Sequence, residues 1–191
     1  MEIKQILRKT LLERETKKSH KNLYGCLMIY LGIEDNEWEE LEKLIPNEAL
    51  YEPKDDPTYG KENEPHVTIL FGLHNDISDK DIEAEIKKIK VPRIELGKVS
   101  SFKNDLFEVL KFDIISDDLM KLNKKFSEFP HTTDYPNYHP HMTIAYCKKN
   151  EGGRYIELLN KYMEDNDSLV INPTKIVYSK ADGTKKNYKL N

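Results

Sequence analysis

What this chain has little of narrows the field before any motif is read. It carries two cysteines, Cys26 and Cys147, each inside an apolar run, where a reduced, packed thiol is expected rather than a disulfide staple. Long apolar stretches are also missing: the longest, residues 24–33, is about half of the ~20 residues that a membrane-crossing helix needs, so it reads as a buried strand. The opening segment, MEIKQILRKTLLERETKK, mixes both charge signs with apolar residues at helical spacing and has no secretory apolar core. A helix over residues 2–16, no export signal and a cytoplasmic location are the expectations. Basic charge is lacking too. A formal net charge of -4 argues against long nucleic acid, which is held by many Lys and Arg contacts to phosphate, whereas a small phosphorylated ligand needs only a local positive site.

The 38% apolar and 34% charged residues place the chain among ordinary soluble globular proteins. Its length suits one domain over 1–191, or two small lobes sharing a core, since domains run ~100–200 residues. Periodicity predicts a strand at 24–31, a charged helix at 36–45 and a strand at 66–73, with a Pro-rich, acidic connection over 46–65 of the kind that often forms a lid. A helix follows from Ser78, with Asp81 placed as in a capping box, then strands near 93–102 and 106–115, where the first lobe is expected to end. Ser116 is set to cap a helix to about Phe129, followed by a strand at 141–147, a helix after Gly152 and Gly153 reaching Met163, and strands at 169–179 and 186–190 joined by Asp182-Gly183. Strand, helix, strand, helix, then a second round, is the order of an α+β fold with two similar lobes.

The repeat is sharp in one place. Pro65-His66-Val67-Thr68-Ile69 and Pro140-His141-Met142-Thr143-Ile144 match at four positions of five, and their histidines are 75 residues apart. Six histidines and nine threonines in this length give roughly 0.3 His-x-Thr triplets by chance, yet the chain has three. The third, His131-Thr132-Thr133, is polar in the middle and runs into Asp134 and Pro136, so it reads as a turn. In the other two, strand alternation turns Val67 and Met142 toward a core and puts His66 with Thr68, and His141 with Thr143, on the opposite face. An imidazole with pKa ~6.5 exchanges protons at neutral pH, and a hydroxyl two residues on donates to a phosphate oxygen. A lone histidine of this kind is more often a packed ring satisfied by a backbone partner. Packing gives no reason for both His and Thr to recur in the same order on the polar face. Two such pairs supply the base and the acid that in-line cleavage of a phosphodiester requires.

On these motifs the sequence resembles the 2H phosphoesterases, a family defined by two His-x-Thr or His-x-Ser motifs on lobes that flank one cleft. The resemblance implies a bilobal α+β fold with two pseudo-symmetric antiparallel sheets, flanking helices and a central cleft. It also implies His66 and His141 as acid and base, Thr68 and Thr143 as phosphate ligands, and phosphodiesterase activity without a metal or other cofactor. The segments LYGCLMIYL at 23–31 and YGKENEPHVTILFGLH at 59–74 are similar to the phage anti-CBASS branch. That likeness implies a cyclic di- or trinucleotide messenger as substrate, cut at 3′,5′ bonds in an infected bacterium to block antiviral signalling. The alternatives are an enzyme acting on RNA ends with a 2′,3′-cyclic phosphate, and a protein that sequesters cyclic nucleotides without cutting them.

Other residues carry weaker signals. Tyr24, opening the first strand, is a candidate to stack on a substrate base, as is Tyr138 in the loop ahead of His141; Tyr59 has a lesser claim of the same kind. His139 and His141, with Asp134 and His66, have the makings of a metal shell, but that reading leaves Thr68 and Thr143 without a purpose. Lysines 175, 180, 185, 186 and 189 are expected on a solvated strand face, and the acidic run over 34–56 is expected to face solvent.

Overall fold

The computed structural model of the protein describes residues 24–135, 137–166 and 169–190; the helix expected over 2–16 lies outside the described residues. Among the described residues seven strands occur, β1 (Gly25–Gly32), β2 (His66–Leu73), β3 (Glu95–Lys103), β4 (Phe107–Ile115), β5 (His141–Lys148), β6 (Asn172–Ser179) and β7 (Lys185–Lys189). Four α-helices are interleaved with them: α1 (Asp35–Lys43), α2 (Asp79–Ile86), α3 (Asp117–Phe126) and α4 (Gly153–Asp165). The class is α+β, and every strand pairing is antiparallel.

The strands lie in the order β3-β4-β5-β2-β1-β6-β7. Outward from the β5/β2 junction, each side therefore begins with a motif strand, and β1 and β4, then β6 and β3, occupy matching places. The two expected sheets are joined edge to edge through the single pairing of Val67 with Met142. A boundary drawn at Ile115 does not divide them. The β3–β4 hairpin pairs with β5 in the second lobe, and β6 and β7 cross back to β1 in the first, so each lobe takes two strands from the other round of the chain.

Helix positions follow from apolar spacing. Trp38, Leu41 and Ile45 on and just beyond α1, and Ile82 with Ile86 on α2, recur at helical intervals and are buried in the common core. Ser116 caps α3 as expected, its Oγ accepting the Leu119 N–H at 3.1 Å. The capping box at Ser78 does not form, because Ser78 makes no side-chain cap bond. The neighbouring Asp79 instead takes Lys180 and Lys186, so two of the lysines expected on a solvated face are tied to α2. The start of α4 has a cap that sequence reading missed: Glu108 of β4, 1% exposed, accepts the N–H groups of Asn150 and Gly153.

The acidic connection is not a loose lid. Along residues 50–62 it is laid against β5, with Tyr51 N–H donating to the Tyr146 carbonyl (2.8 Å), Tyr146 N–H to Gly60 (2.7 Å) and Glu62 N–H to Ile144 (2.9 Å). Tyr51 and Tyr59 pack edge to face and both meet Phe107, and Tyr59 also meets Tyr146. This strap carries Glu62 and Glu64 to the start of β2.

Candidate active site

Each motif is built the same way. The carbonyl of Pro65 accepts the Leu31 N–H and that of Pro140 accepts the Ile114 N–H, both at 3.0 Å, which fixes the peptide entering each histidine. Immediately after each Thr the ladder carries a bulge: Ile69 has no opposite residue between the pairs Met28/Thr68 and Leu27/Leu70, and Ile144 none between Lys111/Thr143 and Leu110/Ala145. The bulges explain why Ile69 and Leu70, and Ile144 and Ala145, are buried in succession, which simple alternation does not allow. The carbonyl of Ile69 is satisfied by Asn123 Nδ2 of α3 at 2.8 Å.

Val67 and Met142 are fully buried on the helix side of the sheet, so the residues flanking them face the other way, into one cleft. Antiparallel pairing through this point sets His66 beside Thr143 and Thr68 beside His141. The two histidines are then diagonal neighbours on one face, a relation that places Cβ atoms ~7–8 Å apart. Both rings are half-buried and reach solvent.

His66 Nδ1 donates to the Glu64 carbonyl and His141 Nδ1 to the His139 carbonyl, each at 2.8 Å. A carbonyl only accepts, so the proton of the neutral ring is on Nδ1 and Nε2 carries the lone pair for chemistry. This anchoring alone is not diagnostic, because His131 Nδ1 donates in the same way to Phe129 at 2.9 Å. His131 instead forms an isolated bridge with Leu73 at the far end of β2, so the third triplet lies outside the named strands and away from the other two.

The surroundings of the two rings differ. His66 stacks on Tyr30 of β1, with centroids 5.4 Å apart and planes 24° apart, and Glu62 Oε2 lies 3.9 Å from its Nδ1. Lys175 Nζ sits 4.6 Å from the centroid of the same Tyr30 ring. Burial, followed by the Glu64 and Glu62 carboxylates, pushes the Tyr30 phenol up to about 12, so it stays protonated. His141 meets the edge of Phe102 at 4.9 Å. Burial holds its pKa below the usual histidine value; the charges of Lys111 and His66 act in the same direction, while the His139 carbonyl and Asp113 oppose them.

Lys111 is the principal functional residue that sequence reading missed. It is 4% exposed, pairs with Thr143, donates to Ser100 Oγ at 2.7 Å and to Asp113, and lies over the Phe102 ring at 4.3 Å. A cation in that place is directed at the same cleft as the two motifs. Its only signal in the sequence is a lysine flanked by apolar residues on the strand FEVLKFDII.

The motif threonines also have neighbours. Burial pushes the thiol of Cys26, beside Thr68, up to about 12, and raises the pKa of the Tyr146 hydroxyl, beside Thr143. Both cysteines are unpaired thiols. Tyr138 directs its hydroxyl to the Thr68 carbonyl at 2.9 Å, joining the loop before one motif to the strand of the other. Tyr24 does not join the group. It precedes β1 at the end where Gly25 pairs with Leu73, ~13 Å along the strand from the level of Thr68, and its ring stands 5.6 Å from His74. Among the described residues, no three His, Cys, Asp or Glu side chains gather to hold a metal, and His139 contributes its carbonyl rather than its ring.

The two His-x-Thr pairs thus share one face of the sheet, with the buried Lys111 opposite Thr143. The model of the 2′-5′ RNA ligase superfamily matches residues 32–178, well over half of the chain. The chain therefore belongs to that superfamily, the 2H phosphoesterases, and is a phosphodiesterase in class. No curated protein matches the sequence. Among solved structures, Usb1 of Kluyveromyces marxianus, determined with uridine monophosphate, is similar over 89% of this chain and 99% of its own, at 10% identity and a TM-score of 0.53, which bears on the fold alone. A second structure, that of a phosphoesterase, is similar over 87% of this chain and 95% of its own at 14% identity, with a TM-score of 0.40. No helix among the described residues is long and apolar enough to cross a membrane.

Proposed function

We propose that the protein cleaves 3′,5′-phosphodiester bonds in small cyclic oligonucleotides by acid-base catalysis from its own side chains. The single observation that carries this is the Val67–Met142 pairing, which brings both His-x-Thr motifs to one face. His141, whose environment favours the neutral ring, is the base: its Nε2 takes the proton of the attacking hydroxyl or water as the new P–O bond forms. His66 is the acid, its Nε2–H passing to the departing oxygen as the old bond breaks, with Glu62 offering a counter-charge to its imidazolium. Thr68 and Thr143 donate to the non-bridging oxygens, and Lys111 offsets the charge that builds on them. Tyr138 is a positioning residue for Thr68 rather than a base-stacking platform.

The cyclic messenger is favoured by the segments at 23–31 and 59–74, which resemble the anti-CBASS branch, and the cytoplasm of an infected host is the corresponding location. An RNA end bearing a 2′,3′-cyclic phosphate is the second reading, favoured by the superfamily itself. Mass spectrometry of products from cyclic dinucleotides, cyclic trinucleotides and 2′,3′-cyclic-ended RNA, in excess chelator, decides between them. Linear products from the cyclic compounds are expected. Turnover of the RNA end alone would move the assignment to RNA processing, and recovery of every compound intact would leave a sequestering protein. A 2′-deoxy cyclic dinucleotide that survives identifies the ribose 2′-hydroxyl as nucleophile; its cleavage identifies water.

A further inference from the structure

The register of β6 and β7 divides the lysines at the end of the chain into two groups. Lys186 is opposite Tyr178, a residue of the common core, so it points to the helix side, where it and Lys180 are held by Asp79 and Lys186 also by Glu83. Lys175 and Lys189 stand directly opposite each other on the other face. Lys175 is in turn opposite Tyr30, and Tyr30 opposite His66, so the two lysines continue one cross-strand row that ends on the first motif histidine. The side chains follow the same line. Lys175 Nζ lies 4.6 Å from the centroid of the Tyr30 ring, and that centroid 5.4 Å from the centroid of His66, which together keep the ammonium within about 10 Å of the His66 ring.

Nothing in the fold explains this pairing. Like charges directly opposite on a sheet repel and lower its stability. Among the described residues no carboxylate forms an ion pair with Lys175 or Lys189, although Glu39, Glu42 and Glu64 line the same cavity of about 400 Å³ as Lys175. The ammonium groups of Lys111, Lys180 and Lys186, by contrast, all have carboxylate partners. Two unneutralised ammonium groups in line with a phosphate site are relieved by a second anion. With His66 as the acid, the departing oxygen is on the side of the first lobe, and the nucleotide that leaves on that oxygen carries the next phosphate of the substrate.

We propose that Lys175 and Lys189 form an anion subsite for the phosphate that follows the scissile one on the leaving nucleotide. It rests on the phosphodiesterase reading in one respect: His66 as the acid puts the leaving nucleotide on the first lobe. The preferred substrate then has at least two successive phosphates, as every cyclic oligonucleotide does and a dinucleoside monophosphate does not. A phosphate carries no base identity, so the subsite is indifferent to the base.

The test is calorimetric titration of the unaltered protein, at low ionic strength, with uridine 3′,5′-bisphosphate and with 5′-UMP, whose one phosphate sits on the departing oxygen. The bisphosphate is expected to bind about 10- to 100-fold more tightly, the range for hydrogen bonds to charged groups, with the same gain for the adenosine pair. With Lys175→Gln and Lys189→Gln combined, bisphosphate and monophosphate are expected to bind alike, whereas Lys180→Gln, which removes a lysine held by Asp79, keeps the gain. Equal binding of the two by the unaltered protein would overturn the proposal and needs no variant. So would a gain that survives loss of both lysines, a gain that Lys180→Gln removes as well, or inorganic phosphate bound as tightly as the bisphosphate. A gain without cleavage of any oligonucleotide would keep the subsite and sink the phosphodiesterase reading, whereas cleavage of cyclic dinucleotides with bisphosphate and monophosphate bound alike would do the reverse.

Discussion

Replacing Lys111 with Met tests how the second lobe stabilises charge. Met fills nearly the same volume, so packing against Phe102 is kept while the ammonium is lost. Three consequences follow from its contacts. Asp113 loses its cation; because the Asp113 side chain is 50% exposed, solvent takes over much of that compensation, and the stability loss is set at ~1–2 kcal/mol rather than the larger figure for a fully buried pair. The rate falls further, since removing a donor or charge aimed at a transition-state oxygen costs ~10²–10³-fold in kcat. The pH profile also moves. Lys111 is one of the charges that lower the His141 pKa, and Asp113 acts against it, so losing Lys111 shifts the acidic limb of the rate profile to higher pH. Measured as kcat and kcat/KM against pH, with a thermal melt alongside, Lys111→Met should show both the loss and the shift, and Lys111→Arg should restore part of each. An unchanged kcat with an unmoved acidic limb would refute the role given to Lys111.

Two further outcomes follow from the geometry. Tyr138→Phe removes the bond to the Thr68 carbonyl, which is expected to cost ~0.5–1.5 kcal/mol of stability by denaturant unfolding and to lower kcat with little change in KM; a change in KM alone would return Tyr138 to substrate contact. His141 is held below its ordinary value of 6.5, so the unfolded chain binds its proton more readily than the folded one; stability is then expected to fall as pH drops through 6.5, and His141→Gln to remove that part of the dependence. An identical acid limb of unfolding in the variant would contradict the burial of a neutral ring.

Much of the site was legible because the chemistry lies in local sequence. The alternation around His66 and His141 fixed which side chains share a face, and Ser116 announced its helix. What escaped was set by contacts between distant segments. Nothing in residues 93–115 signals that the β3–β4 hairpin joins β5 rather than the strands that precede it in the chain, because strand order is a tertiary choice. The bulges at Ile69 and Ile144 are invisible to a pattern with period two, yet they decide that Phe71, 40% exposed, and Tyr146 turn toward the cleft beside the threonines. That Tyr24 stands at the end of β1 opposite Leu73, away from the level of Thr68, is likewise set by strand register and not by local sequence. The strap over 50–62 looked like a lid because its bonds to β5 are made by backbone, which leaves no mark in composition.

The pH–rate profile of phosphodiester cleavage, measured in excess chelator for the unaltered protein and for His66→Ala and His141→Ala, tests the paired-histidine account most directly. The expectation is a bell for the unaltered protein, a loss of ~10²–10⁴-fold in each variant, and disappearance of the acidic limb in His141→Ala and of the alkaline limb in His66→Ala. Either variant keeping its full rate, or both limbs surviving in both, would contradict it.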